Sequence, residues 1–142
     1  MGYSIGQVAK KTGLTAHTLR YYEKEGLLPF VQKSGSGLRV FSDSDLGWLA
    51  MIECLKETGM PLKGIKQYID WYIEGDGTLK QRLEMFETQK IKIEEQIELF
   101  QKHLAKINYK IKLYKEAVKA GSLDIAAANK RLNEEKERLF NK

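Results

Sequence analysis

Between residues 79 and 118, apolar side chains recur at spacings that alternate between four and three. Leu83, Ile97, Leu104, Ile111 and Val118 occupy one heptad position, a, with Lys90 as its single polar member. Leu79, Phe86, Ile93, Phe100, Ile107 and Tyr114 occupy the second, d. Five heptads of this kind describe a coiled-coil seam. A helix of 42 residues reaches about 63 Å at 1.5 Å per residue. The segment ahead of it is too short to cover such a stripe, so the helix needs a partner, and a second copy of the chain is the expected one. Lys90 fits either a register-setting polar position or a snorkelling stem.

Ahead of the heptads the pattern is shorter and punctuated. Three helix starts carry a Ser or Thr followed three residues later by an acid or amide: Ser4 with Gln7, Ser42 with Asp45, and Thr78 with Gln81. The first opens a helix over about 5–12 with Ile5, Val8 and Ala9 inward, and Gly13 supplies a left-handed stop. Thr15 caps a second helix to about Glu25, ended by Gly26. Two short helices around a Gly-containing turn read as a helix-turn-helix, and a generic helical hairpin fits the spacing equally well. Phe30-Val31 and Leu38-Arg39-Val40-Phe41, around a Ser/Gly run at 34–37, predict a small hairpin. A third helix is expected over 42–58 with Leu46, Leu49, Ile52 and Leu55 inward. A fourth has Pro61 in its first turn and Leu62, Ile65 and Ile69 on one side. Beyond Gly121 the tail suits a short helix or a frayed end. The expected organisation is 1–77 as a compact head, 78–120 as the long helix and 121–142 as the tail.

The composition excludes several classes. The two prolines and the lone Cys54 leave no collagen-like, proline-rich or disulfide-framework reading. No stretch is apolar enough to span a bilayer, and the expected location is the cytoplasm. An enzyme finds no support: there is no Gly-rich phosphate loop, HExxH or GxSxG. His17 and His103 are the only histidines and neither has a cysteine beside it, so neither metal nor cofactor is expected. Charge is uneven: residues 1–41 carry six basic side chains and two acids. A basic first third points to a polyanion.

His17, Arg20, Tyr21 and Lys24 fall at i, i+3, i+4 and i+7 and share one helix face, while Leu19 and Tyr22 point towards Val8 and Leu27. An Arg on such a face can grip guanine with two hydrogen bonds, and Lys and a Tyr hydroxyl can hold phosphates. An ordinary basic surface helix is the plainer alternative.

Tyr3-Ser4-Ile5-Gly6-Gln7-Val8-Ala9, followed by Thr15-Ala16-His17-Thr18-Leu19-Arg20-Tyr21-Tyr22-Glu23 and Gly26-Leu27-Leu28, resembles the signature of MerR-family transcription regulators. Gly37-Leu38-Arg39-Val40-Phe41 resembles the family's wing, and Leu46, Leu49, Ile52, Leu55 and Gly59 its following helix. The resemblance covers about residues 3–120. It implies an all-α chain with a small β wing: a winged helix-turn-helix head on a long dimerisation helix that forms an antiparallel coiled coil. It further implies double-stranded promoter DNA, a second copy and RNA polymerase as partners. Carried over by position, DNA contacts fall on Thr15, His17, Thr18, Arg20 and Tyr21, with Tyr22 structural. In the wing they fall on Gly37 and Arg39. Lys63 answers to a second backbone contact. Phe41 stands where the family often has Tyr, and packing is its expected role.

The cysteines of metal-sensing members have no counterpart, nor has the added domain of drug-sensing ones. The chain is similar to the aldehyde- and nitrosative-stress subgroup, whose lone cysteine in the third helix answers to Cys54. Cys54 lies one step off the inward stripe with Lys56 nearby, which favours a reactive thiolate. A small buried hydrophobe is the other reading. The expected function is a dimeric regulator that binds an inverted repeat and distorts it, responding to aldehydes or thiol-modifying stress. A noncovalent effector is one alternative. A coiled-coil interaction protein whose basic head docks on an acidic partner is another.

Overall fold

The computed structural model describes residues 2–141. It is mostly helical, with a two-stranded antiparallel wing. The elements run α1 (Ile5–Thr12), α2 (Ala16–Lys24), β1 (Gln32–Lys33), β2 (Arg39–Val40), α3 (Asp43–Glu57), α4 (Leu62–Glu74), a 3₁₀ turn (Asp76–Thr78), α5 (Leu79–Ala120), α6 (Leu123–Ala127) and α7 (Lys130–Phe140). Two compact units divide the chain between Gln89 and Lys90.

Local chemistry sets the first elements. The Ser4 hydroxyl accepts the Gln7 amide while the Gln7 side chain accepts the Ser4 amide, which completes a capping box, and Ser42 and Asp45 repeat it at α3. Gly13 stops α1 at φ 74°, in the left-handed region that favours glycine. Pro61 sits one place outside α4, as its cap, rather than in the first turn.

Two further expectations fail at this level. The first strand lies at Gln32–Lys33, not Phe30-Val31, with Gln32 opposite Val40 and Lys33 opposite Arg39. Phe30 instead packs its ring on Trp48 and Tyr72, at 5.6 and 5.8 Å between centroids. Thr78 caps nothing. The 3₁₀ turn runs straight into α5, so no extended residue stands at its start, and the hydroxyl donates back to the carbonyls of Trp71 and Gly75, at 2.5 and 2.8 Å.

In the first unit, Val8, Leu19, Tyr22, Leu27, Leu28, Phe41, Leu49, Ile52, Leu55, Ile65 and Ile69 form the core. Met85 and Phe86 of α5 pack against it. Tyr22 is 1% exposed, yet its hydroxyl is satisfied: it donates to Glu53 Oε1 at 2.7 Å and accepts from Lys56 Nζ at 3.0 Å. Phe41 is wholly buried, as its packing role required, and its backbone pairs with Tyr3 in a short bridge.

The second unit corrects the reading of the tail as one short helix or a frayed end. Ser122 and Asn129 cap two helices, and Ala126 and Leu132 bury themselves against Tyr109 and Leu113 of α5. Lys112 reaches Glu135 at 3.0 Å and Phe140 meets Tyr109 edge-on. Tyr109 lies two residues from both Ile107 and Ile111, about 200° around the helix. The tail therefore covers the face opposite the heptads. Ile97, Phe100, Leu104, Ile107, Ile111, Tyr114 and Val118 all stay exposed.

Burial, first, and the Glu53 bond raise the Tyr22 pKa above its ordinary 10.0. The native state thus holds this proton more tightly than the unfolded chain. The stabilisation is complete below pH 10 and is lost as pH climbs through the raised native value. Tyr22→Phe should cost about 1 kcal/mol at neutral pH. Thermal unfolding of this variant should then fall less steeply than that of the native chain as pH rises past 10.

Candidate nucleic-acid interface

The α2 helix presents the expected face. Thr15 stands extended at its N-cap and its hydroxyl accepts the Thr18 amide at 3.0 Å. The buried pair Leu19 and Tyr22 fixes the rotation of the helix on the core. His17, Arg20, Tyr21 and Lys24 consequently project outward, all exposed. Thr15 and Thr18 are tied to each other as well, hydroxyl to hydroxyl at 2.9 Å, so their side chains hold the helix start together.

The wing places Gly37 and Arg39 differently. Gly37 sits at φ 82°, where an L side chain is strained, and its amide donates to the Ser34 carbonyl at 2.9 Å. Glycine is required there by the turn. Arg39 is half-buried, and its Nε donates to Glu23 Oε2 of α2. Sequence reasoning missed this pair, since nothing local marks two residues that are 16 apart.

Lys63 is exposed in the first turn of α4. Among the described residues no hydrogen bond or ion pair joins it to α2 or the wing. Cys54 is exposed on α3, so within a single chain it is not a small buried hydrophobe. Nor does Lys56 serve the thiol: residues two apart on a helix point to different sides, and the Lys56 ammonium goes to Tyr22. That bond raises the Lys56 pKa. Among the described residues no group of three or more His, Cys, Asp or Glu is placed to hold a metal ion. Among those residues, too, no helix is long and apolar enough to cross a membrane.

Residues 3–70 match the model of the MerR HTH family regulatory protein and residues 46–108 that of MerR, DNA binding. An HTH-type transcriptional regulator of Haemophilus influenzae is 49% identical over 89 residues, which are 63% of this chain and 66% of its own length. The HTH-type transcriptional regulator AdhR of Bacillus subtilis is 37% identical over 90 residues, 63% of this chain and 64% of its own. The match thus spans just under two thirds of these curated relatives. Among solved structures, HiNmlR, a MerR family regulator lacking the sensor domain and bound to promoter DNA, is 42% identical, with a TM-score of 0.81. That match covers 88% of this chain and 99% of that one.

Proposed function

We propose, because the chain belongs to the MerR family of helix-turn-helix regulatory proteins, that it is a DNA-binding transcription regulator working as a homodimer on an inverted repeat in a promoter. The observation that carries this reading is the exposed α2 face of His17, Arg20, Tyr21 and Lys24, fixed from behind by Leu19 and Tyr22. Arg20 reads a base edge; Lys24 and Tyr21 hold phosphates. Thr15, His17 and Thr18 stand at the start of the same helix, the part that enters the major groove first. Gly37 and Arg39 bring the wing to the backbone, and Lys63 adds a contact from α4.

The exposed heptads supply the dimer as an antiparallel coiled coil. Two heads on one seam suit an inverted repeat, and bending the duplex between half-sites changes how RNA polymerase meets the promoter. The exposed Cys54 thiol is proposed as the sensor. Its sulfur adds to an aldehyde carbonyl carbon while the carbonyl oxygen takes up a proton, and no group leaves. An adduct on α3, between the wing and α4, shifts transcription only by favouring one of two head arrangements.

Two sets of measurements test these roles. Arg20→Ala should lose about 1–3 kcal/mol of discrimination at particular base pairs. Lys24→Ala should weaken operator and random duplex alike and flatten the salt dependence. Binding only to an acidic protein, with no duplex binding, would favour the interaction-protein reading. In transcription from the gene's own upstream region, Cys54→Ser should keep operator binding and lose the response to added aldehyde. A serine variant that responds in full points to a noncovalent effector.

A further inference from the structure

Glu23 is the one acid that adjoins the exposed α2 face and bonds across to the wing. Among the described residues, the Arg39–Glu23 pair is the only side-chain hydrogen bond or ion pair that joins the wing, residues 32–40, to a helix. The bond uses Nε alone. Arginine carries five N–H donors in a rigid fork, so the two Nη groups remain unspent, and no described residue bonds them. Both partners are half-buried, with side chains 29% and 21% exposed, so the pair is less screened by solvent than an open surface ion pair. Glu23 follows Arg20 by three residues and lies on the adjoining strip of the same helix.

From this geometry we infer that Glu23 is a positioning residue: it holds the Arg39 guanidinium by Nε so that its Nη fork faces a backbone phosphate, and it thereby locks the wing to the recognition helix as one reading surface. This rests on the DNA-binding reading. A carboxylate beside a polyanion is costly by itself, and its use here is to spend one arginine donor on orientation and leave the forked pair for phosphate. Because a phosphate contact carries no sequence information, the effect falls on all duplexes alike.

The test uses the full chain, with Glu23→Gln, Arg39→Gln and the double variant, titrated with operator and random duplex over a range of salt. Glu23→Gln should weaken both duplexes by about fivefold per protomer. It should also flatten the slope of log affinity against log salt by about 0.9 per protomer, the share of one phosphate. Arg39→Gln should do the same, and the double variant should lose no more than either single one. If Glu23 only repels phosphate, Glu23→Gln tightens binding and the inference fails. If the pair is only a strap for the fold, Tm drops with an unchanged slope, and it fails again. A native chain that binds no duplex overturns the DNA-binding reading together with this one. Native binding with an unchanged Glu23→Gln slope overturns this inference alone.

Discussion

Helix α5 carries apolar side chains on two opposite faces, and the chain covers one of them. Tyr109 and Leu113 lie under α6 and α7, with Ala126 and Leu132 packed on them. The heptad face, from Ile97 to Val118, is left to water. Exposed apolar area costs about 25 cal/mol per Å², so a row of seven large side chains is a strong drive to association. Were α7 on the heptad face, the tail would satisfy the helix within one chain and no dimer would be needed. Its placement opposite keeps the seam available, and the proposed two-headed reading of DNA follows from that vacancy.

The head uses a different economy. Its helices are short, and α2 has nine residues, too few to be stable alone. What fixes it is Tyr22, a ring in the core whose hydroxyl stays satisfied by Glu53 and Lys56 of α3. Rotation of α2 by even one residue would bury Glu23 or Tyr21 in its place and unpair those groups. The buried side thus dictates which side chains reach outward, and the Arg39–Glu23 pair extends the same fixing to the wing.

The elements legible in the sequence were those decided by near neighbours. Ser4 and Ser42 cap as expected because the bond closes within three residues, and Gly13 and the heptads announce themselves by conformation and period. Thr78 departs from its capping pattern because its hydroxyl has two sets of partners within reach, amides ahead and carbonyls behind, and only the tertiary path of α4 into α5 decides between them. Phe30 has the β-prone character of a strand residue, but its use is in the aromatic cluster with Trp48 and Tyr72, which no local pattern predicts. The tail leaves only a faint trace in the sequence: Tyr109, Leu113 and Ala117 repeat at four-residue spacing off the heptad positions. In the site, the α2 face was legible from periodicity and the Arg39–Glu23 bond was not.

The proposed two-headed regulator requires the heptad face of α5 to be filled by a second copy. Sedimentation equilibrium of the native chain and of Ile97→Asp measures this directly, with helix content followed by circular dichroism. The native protein should sediment at twice the chain mass, and the variant at a single chain mass or as an unfolded chain, since an unpaired carboxylate in the seam costs several kcal/mol. A native chain that sediments as a monomer, or an Ile97→Asp variant that remains a folded dimer, would contradict this requirement.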